Sequence, residues 1–180
     1  MKIYMARHGQ TQPNVEDNVC GRTDVPLTET GLQQAEKLAD NAAGKDIDLI
    51  VVSPMIRARQ TAQAVADRYN IPVVIDDRLI EQSAGIYEGK SRTNPDYMAN
   101  KRKFCYKYPG GESMMQVAQR VYNRIDDIRR NYSDKNVLVV CHGGVCRVAR
   151  TYFVDMENEE FSTYTPDNAT ITEYEIDPLK

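Results

Sequence analysis

Three short runs of apolar and β-branched residues, at 2–6, 49–52 and 137–140, constrain this chain more than any other feature. Each is continuously hydrophobic rather than alternating, the pattern of a strand covered on both faces of a parallel sheet. Between them apolar residues recur at helical spacing: Leu32, Ala35, Leu38 and Ala39 after Thr28; Ile56, Ala58, Ala62 and Val65; and Met114, Val117, Val121, Ile125 and Ile128. Parallel strands need long crossovers, which helices supply. The alternation therefore predicts an α/β three-layer sandwich with a mainly parallel central sheet and helices on both faces. Ser113 with Gln116 reads as a capping box opening the last helix, and the segment from Thr170 to Ile176 alternates like an edge strand.

Composition sets the class. A chain of 180 residues with 41% hydrophobic content suffices for one packed core, so a single domain over 1–180 is expected. No apolar run approaches the roughly 18–20 residues needed to span a bilayer, and charge at Lys2 and Arg7 comes too early for a secretory h-region. The expectation is a soluble cytoplasmic protein with no membrane partner. A net charge of −3 argues against nucleic acid as a partner, which would require a dominant basic field, so any anion site must be local. Cys20, Cys105, Cys141 and Cys146 form no CxxC pair and there are two histidines in all, which predicts neither a structural metal nor a disulfide framework.

Each apolar run ends in a polar motif: Arg7-His8-Gly9, then Ser53-Pro54 with Arg57, then Cys141-His142-Gly143-Gly144. Ligands of open α/β sheets bind beyond the carboxyl ends of the strands, where loops enter helix N-termini. Two arginines, both histidines and several glycines on that rim are the groups that cradle a phosphoryl group. Glycine after each histidine lets a ligand or another backbone approach closely.

Taken in order, these motifs resemble those of the histidine phosphatase (phosphoglycerate mutase-like) superfamily. Arg7-His8-Gly9 with Thr11 and Asn14, then Gly21, Asp24, Leu27-Thr28, Gly31 and Gln34-Ala35, are similar to its first segments. Ser53-Pro54, Arg57 and Gln60-Thr61-Ala62, then Leu79, Glu81, Gly85 and Glu88-Gly89, then Gly110-Gly111-Glu112-Ser113, and finally His142-Gly143-Gly144-Val145 with Arg147, resemble the rest. The resemblance implies that neutral His8 attacks phosphorus, Arg7 and Arg57 offset phosphoryl charge, and His142 donates to phosphoryl oxygens. Glu81 would protonate the departing alkoxide, with Glu88 as its competitor in the same loop. Thr11, Asn14, Cys20, Gly21 and Gly143 would line the substrate, a small phosphomonoester, with no metal or cofactor. Mutases of the superfamily carry a larger insert near the acid, so the short form here implies hydrolysis. Phosphoglycerate mutase activity and a non-catalytic phospho-ligand-binding role are the alternatives.

Cys141 to Arg147 also reads Cys-x5-Arg, which resembles the signature loop of cysteine-dependent tyrosine phosphatases, with Cys141 as a rival nucleophile. Residues 90–108 carry Lys90, Arg92, Lys101, Arg102, Lys103 and Lys107 against Asp96 alone. They fall within an insert at about 88–112 that the resemblance implies is a cap, so these cations and Tyr97, Phe104, Tyr106 and Tyr108 are expected to meet the non-phosphoryl part of the substrate. Ile171 and Ile176 either pair across a homodimer or complete the sheet.

Overall fold

The period of a β-strand sorts side chains to alternate faces, and in the computed structural model, which describes residues 1–177 and Leu179, that sorting builds two cores on one sheet. Strand β1 (Lys2–Arg7) sends Ile3 and Met5 to one face and Tyr4 and Ala6 to the other. Strands β2 (Leu49–Val52) and β4 (Val137–Cys141) are buried at every position, and β3 (Val73–Ile75) and β5 (Ile171–Glu175) flank them. The sheet order is β3-β2-β4-β1-β5, parallel throughout except for β5, which pairs antiparallel with β1.

Helices α2 (Glu29–Asn41) and α3 (Ile56–Tyr69) cover one face through Leu38, Ala39, Ala58, Ala62 and Val65. Helices α5 (Met114–Asn131) and α6 (Gly143–Phe153) cover the other through Val117, Val121, Ile125, Val145 and Val148. The three-layer architecture is therefore as the sequence predicts. Each fully buried side chain of this size contributes about 1.5–3 kcal/mol; Leu138→Ala, at a position of zero exposure, would cost about 2–5 kcal/mol. Short helices α1 (Gln12–Val15), α4 (Pro95–Lys101) and α7 (Asn158–Thr163) lie in the connections. The capping box of α5 is present: the Gln116 N–H donates to Ser113 Oγ (3.2 Å) and the Ser113 N–H to Gln116 Oε1 (3.0 Å).

Two apolar positions lie outside the inner faces that their spacing suggested. Leu32 and Ile56 are exposed, and their helices instead turn Gly31 and Arg57 inward. Strand β3 is also an apolar run, Val73-Val74-Ile75, but at three residues it is too short to stand with the other three, and Val73 and Ile75 lie exposed on a sheet edge. Ile171 and Ile176 pack against the two cores, and Ile171 completes the sheet within β5. Among the described residues no helix is long and apolar enough to cross a membrane.

Candidate active site

Strand register assembles the site. Arg7 lies opposite Cys141, and Val52 opposite Val140, so the residues that follow these strand ends emerge side by side. The His8 N–H donates to the Cys141 carbonyl (2.9 Å) and the Ser53 N–H to the Val140 carbonyl (3.1 Å). The His8 and His142 rings meet edge to face with centroids 5.2 Å apart.

His8 Nδ1 lies 2.7 Å from the Gly9 carbonyl oxygen. A carbonyl can only accept, so Nδ1 carries the proton and Nε2 is left with a lone pair. The backbone around it is held from three sides. The Gly9 N–H donates to Thr61 Oγ1 (2.9 Å), Thr61 Oγ1 donates to the Arg57 carbonyl (2.7 Å), and Asn168 Nδ2 donates to the His8 carbonyl (2.7 Å). Burial, then the nearby Arg57 and Arg7 guanidinium groups, hold the His8 pKa well below the usual histidine range. The ring is thus neutral at physiological pH, with a lone pair on Nε2.

Beside it opens a cavity of about 360 Å³ lined by Arg7, His8, Thr11, Asn14, Cys20, Gly21, Glu81 and Gly143, all of them residues singled out from the sequence. Arg7 Nη1 donates to the Pro166 carbonyl (2.9 Å), whereas its Nε is buried with no hydrogen-bond partner among the described residues. Leaving such a donor unpaired costs about 1–3 kcal/mol or more, and the same guanidinium lines the cavity. Asn14 does two jobs. Its Oδ1 accepts from the Thr11 N–H and Oγ1, both at 3.1 Å, which makes the turn and leaves its amide nitrogen for the cavity. The N-terminus of α6 opens on the same space through Gly143 and Gly144, adding its positive dipole end.

The two carboxylates of the 81–88 loop separate cleanly. Glu81 lines the cavity, with Oε2 accepting from the Gly144 N–H (3.0 Å) and Oε1 from the Gln82 N–H (2.8 Å). Residue 144 must be glycine for this approach, since a Cβ there would lie 2.6 Å from Glu81 Oε1. Glu88 points elsewhere and gathers the 21–23 loop, accepting from the N–H groups of Gly21 (2.8 Å), Thr23 (3.2 Å) and Arg22 (3.3 Å). The Glu81 segment is tethered in turn by Glu112, which accepts from the Ser83 N–H (3.0 Å) and pairs with Arg22 and Arg120.

Arg57 and His142 stand one layer behind the lining. Arg57, 1% exposed, donates to the carbonyls of Thr23 (2.9 Å) and Gly21 (2.8 Å) and, through Nε, to His142 Nδ1 (3.2 Å). His142 Nδ1 is thereby an acceptor, so its Nε2 donates to Ser53 Oγ at 2.7 Å. Burial, Arg57 and His8 keep its pKa well below the usual range. With both its ring nitrogens engaged inside the protein, His142 lies behind the cavity lining together with Arg57, which ties the 21–23 loop to it.

The rival nucleophile is misplaced. Cys141 has zero exposure, its Sγ lies 3.4 Å from that of Cys146, and it belongs to the core under α5 and α6 rather than to the cavity. Burial, reinforced by Cys146, pushes its thiol well up, the opposite of an activated thiolate. Among the described residues no three His, Cys, Asp or Glu side chains gather as a metal site would require.

The basic segment does reach the cavity, though selectively. Arg92, Tyr97, Lys101, Arg102 and Tyr108 line it, while Phe104 packs on Phe161 (4.7 Å) and Lys103 sits over the exposed Tyr106. Arg147, one turn beyond Gly144 on α6, also lines it, donating to the Tyr164 carbonyl (2.8 Å) and Thr165 Oγ1 (3.0 Å). Arg147 and Thr61 both fall within the motifs that carry the resemblance, without a role attached to either; nothing local in the sequence marks Asn168 as a support of His8.

The family model for the histidine phosphatase superfamily (branch 1) matches residues 3–180. Phosphoserine phosphatase 1 of Hydrogenobacter thermophilus is 27% identical over 177 residues, covering 94% of this chain and 84% of that protein. The crystal structure of the alpha-ribazole phosphatase from Shigella flexneri superposes with a TM-score of 0.85 at 28% identity, over 98% of this chain and 91% of that one. The native structure of a mycobacterial glucosyl-3-phosphoglycerate phosphatase gives 0.86 at 26% identity, over 96% and 88%.

Proposed function

The chain belongs to branch 1 of the histidine phosphatase superfamily, and on that premise we propose that it hydrolyses a small phosphomonoester through a phosphohistidine on His8, with no metal in the reaction. The observation that carries this reading is the 2.7 Å contact of His8 Nδ1 with the Gly9 carbonyl, which leaves the Nε2 lone pair beside the cavity that Glu81 also lines. A phosphomonoester is anionic, so attack requires its charge to be offset. The Arg7 guanidinium, the amide of Asn14 and the α6 N-terminus supply positive charge and donors for that purpose.

In the first step Nε2 of His8 bonds to phosphorus as the P–O bond to the leaving group breaks, and Glu81 gives that oxygen a proton. In the second step water attacks phosphorus and the N–P bond breaks. Glu81 takes the proton from the water, so its starting state is restored and inorganic phosphate leaves. Arg57 and His142 hold the His8 ring and the 21–23 loop in place throughout.

Hydrolysis of p-nitrophenyl phosphate in excess EDTA tests the reading, run for wild type, His8→Ala and Cys141→Ser. Activity that survives EDTA and Cys141→Ser but falls at least about 10³-fold in His8→Ala supports it. Activity kept in His8→Ala, or lost in EDTA, overturns it.

A further inference from the structure

We infer that the cavity holds a second anion subsite, formed by Lys101 and Arg147, which selects phosphomonoesters carrying another acidic group, a carboxylate or a second phosphate. This rests on the phosphatase reading above and adds a substrate class to it. The argument is one of charge balance. Five cationic side chains line the cavity, Arg7, Arg92, Lys101, Arg102 and Arg147, against a single acidic side chain among the described residues, Glu81, which the proposed first step takes as protonated.

Two of these cations already have partners outside. Arg102 pairs with Glu159 (3.4 Å) and Arg92 lies near Asp17 (3.8 Å) while donating to the Asn18 carbonyl (3.1 Å). Arg7 stands next to His8 and serves the phosphoryl group. Lys101 and Arg147 then remain, neither in an ion pair with a described residue; Arg147 is oriented by the neutral Tyr164 carbonyl and Thr165 hydroxyl, which leave its charge unmatched. They come from different elements, α4 and α6, so the pair is a product of folding rather than a solvated run on one helix.

Such a pair is costly to keep. Like charges repel, and partial burial removes the water that would screen them. The strain registers on Lys101, whose pKa is brought down to about 8 first by burial and then by Arg147, Arg92 and Arg102. The charged groups around it are those arginines, with Glu81 in the cavity, and with Asp17 and Glu159 already committed to Arg92 and Arg102. A second anion on the substrate would relieve this repulsion, while a neutral hydroxyl or amide would not. The wall beside the cations is Tyr97, Met98, Tyr108 and Met114, which leaves a compact organic body, not a long polar one, between the two acidic ends.

The test uses the full chain and sets esters with an acidic tail against one with a neutral tail. 3-Phosphoglycerate and phosphoserine probe a carboxylate, fructose 1,6-bisphosphate a second phosphate, and glycerol 3-phosphate the neutral tail. The readout is the ratio of kcat/KM for an acidic-tailed ester to that for glycerol 3-phosphate at pH 7. Wild type is expected to show a ratio of about tenfold or more, dropping about tenfold in Lys101→Gln, through KM. Lys103→Gln, outside the cavity, leaves the ratio unchanged. The wild-type ratio for the same pair falls as pH rises through about 8, and Lys101→Arg, which stays protonated, keeps it. A wild-type ratio within twofold of unity for all three acidic esters, or a ratio that Lys101→Gln leaves intact, overturns the subsite. If no ester including p-nitrophenyl phosphate is hydrolysed, the phosphatase reading fails instead. Calorimetric titration of wild type and Lys101→Gln with 3-phosphoglycerate then judges the subsite alone: about tenfold weaker binding by the variant supports it and equal binding overturns it.

Discussion

Gly144→Ala offers a way to move one carboxylate without touching it. A Cβ at residue 144 would lie 2.6 Å from Glu81 Oε1 and 3.3 Å from its Cδ, whereas ordinary contact begins at 3.4 Å. The carboxylate must therefore retreat by about 0.8 Å, the difference between that contact and the 2.6 Å approach. It can do so at little cost in folding energy, because the obstructing atoms are the end of a flexible side chain. Alanine also suits α6 better than glycine, by at most about 1 kcal/mol. Stability is expected to hold or rise slightly, with Tm changing by no more than about 4 °C.

Catalysis should not hold. A displacement near 1 Å of a reacting group can cost about 10²-fold, and the loss should depend on the leaving group. A nitrophenolate departs without a proton, whereas an alkoxide needs one from Glu81. Gly144→Ala is expected to slow an alkyl phosphate by about 10- to 100-fold and p-nitrophenyl phosphate much less, with Glu81→Gln showing the same asymmetry more strongly. Equal slowing of both esters with a lowered Tm would refute the reasoning, since it would mean a general distortion of the α6 N-terminus. An unchanged rate on alkyl esters would remove Glu81 from the role of acid.

Other perturbations separate structural from chemical roles. Glu88→Ala takes the acceptor from three loop N–H groups, two of which can return to water, so a loss of about 1–2 kcal/mol and a Tm lowered by about 2–8 °C are expected, with KM raised more than kcat is lowered. Cys141→Ser should keep its activity but lose about 1–3 kcal/mol in urea denaturation, because a hydroxyl replaces a buried thiol among apolar neighbours. Both histidines have folded-state pKa values well below 6.5, so below pH 6.5 the unfolded chain binds protons that the folded chain does not. Stability is therefore full above that pH and falls as pH drops toward the folded-state values, by about 1.4 kcal/mol per pH unit for each group. Urea midpoints at pH 7.5, 6.0 and 5.0 check this, and a midpoint that rises on acidification would contradict it.

The central strands were legible because burial on both faces leaves an unbroken apolar run, and the site followed because each run ends in a motif. What was not legible shares a physical cause. Helices α2 and α3 press Gly31 and Arg57 inward where the periodicity offered Leu32 and Ile56, since close packing favours small groups and the Arg57 donors all find partners. Glu81 and Glu88 share one irregular segment without periodicity, and only the folded path of the chain sends one to the cavity and the other to the 21–23 loop. The Cys-x5-Arg string was legible and misleading: β4 turns Cys141 into the core while Arg147, a helical turn along, faces the cavity.

His8 and the cations of the 90–108 segment are carried by different kinds of chain. His8 follows β1, an inner strand of the sheet, whereas Arg92, Tyr97, Lys101 and Tyr108 sit on a connection outside the sheet. Among the described residues, none of the hydrogen bonds that hold His8 and Gly9 comes from that connection, so substitutions there can change which ester the cavity admits while those bonds stay. A lineage built this way can diversify its diet while inheriting its chemistry unchanged.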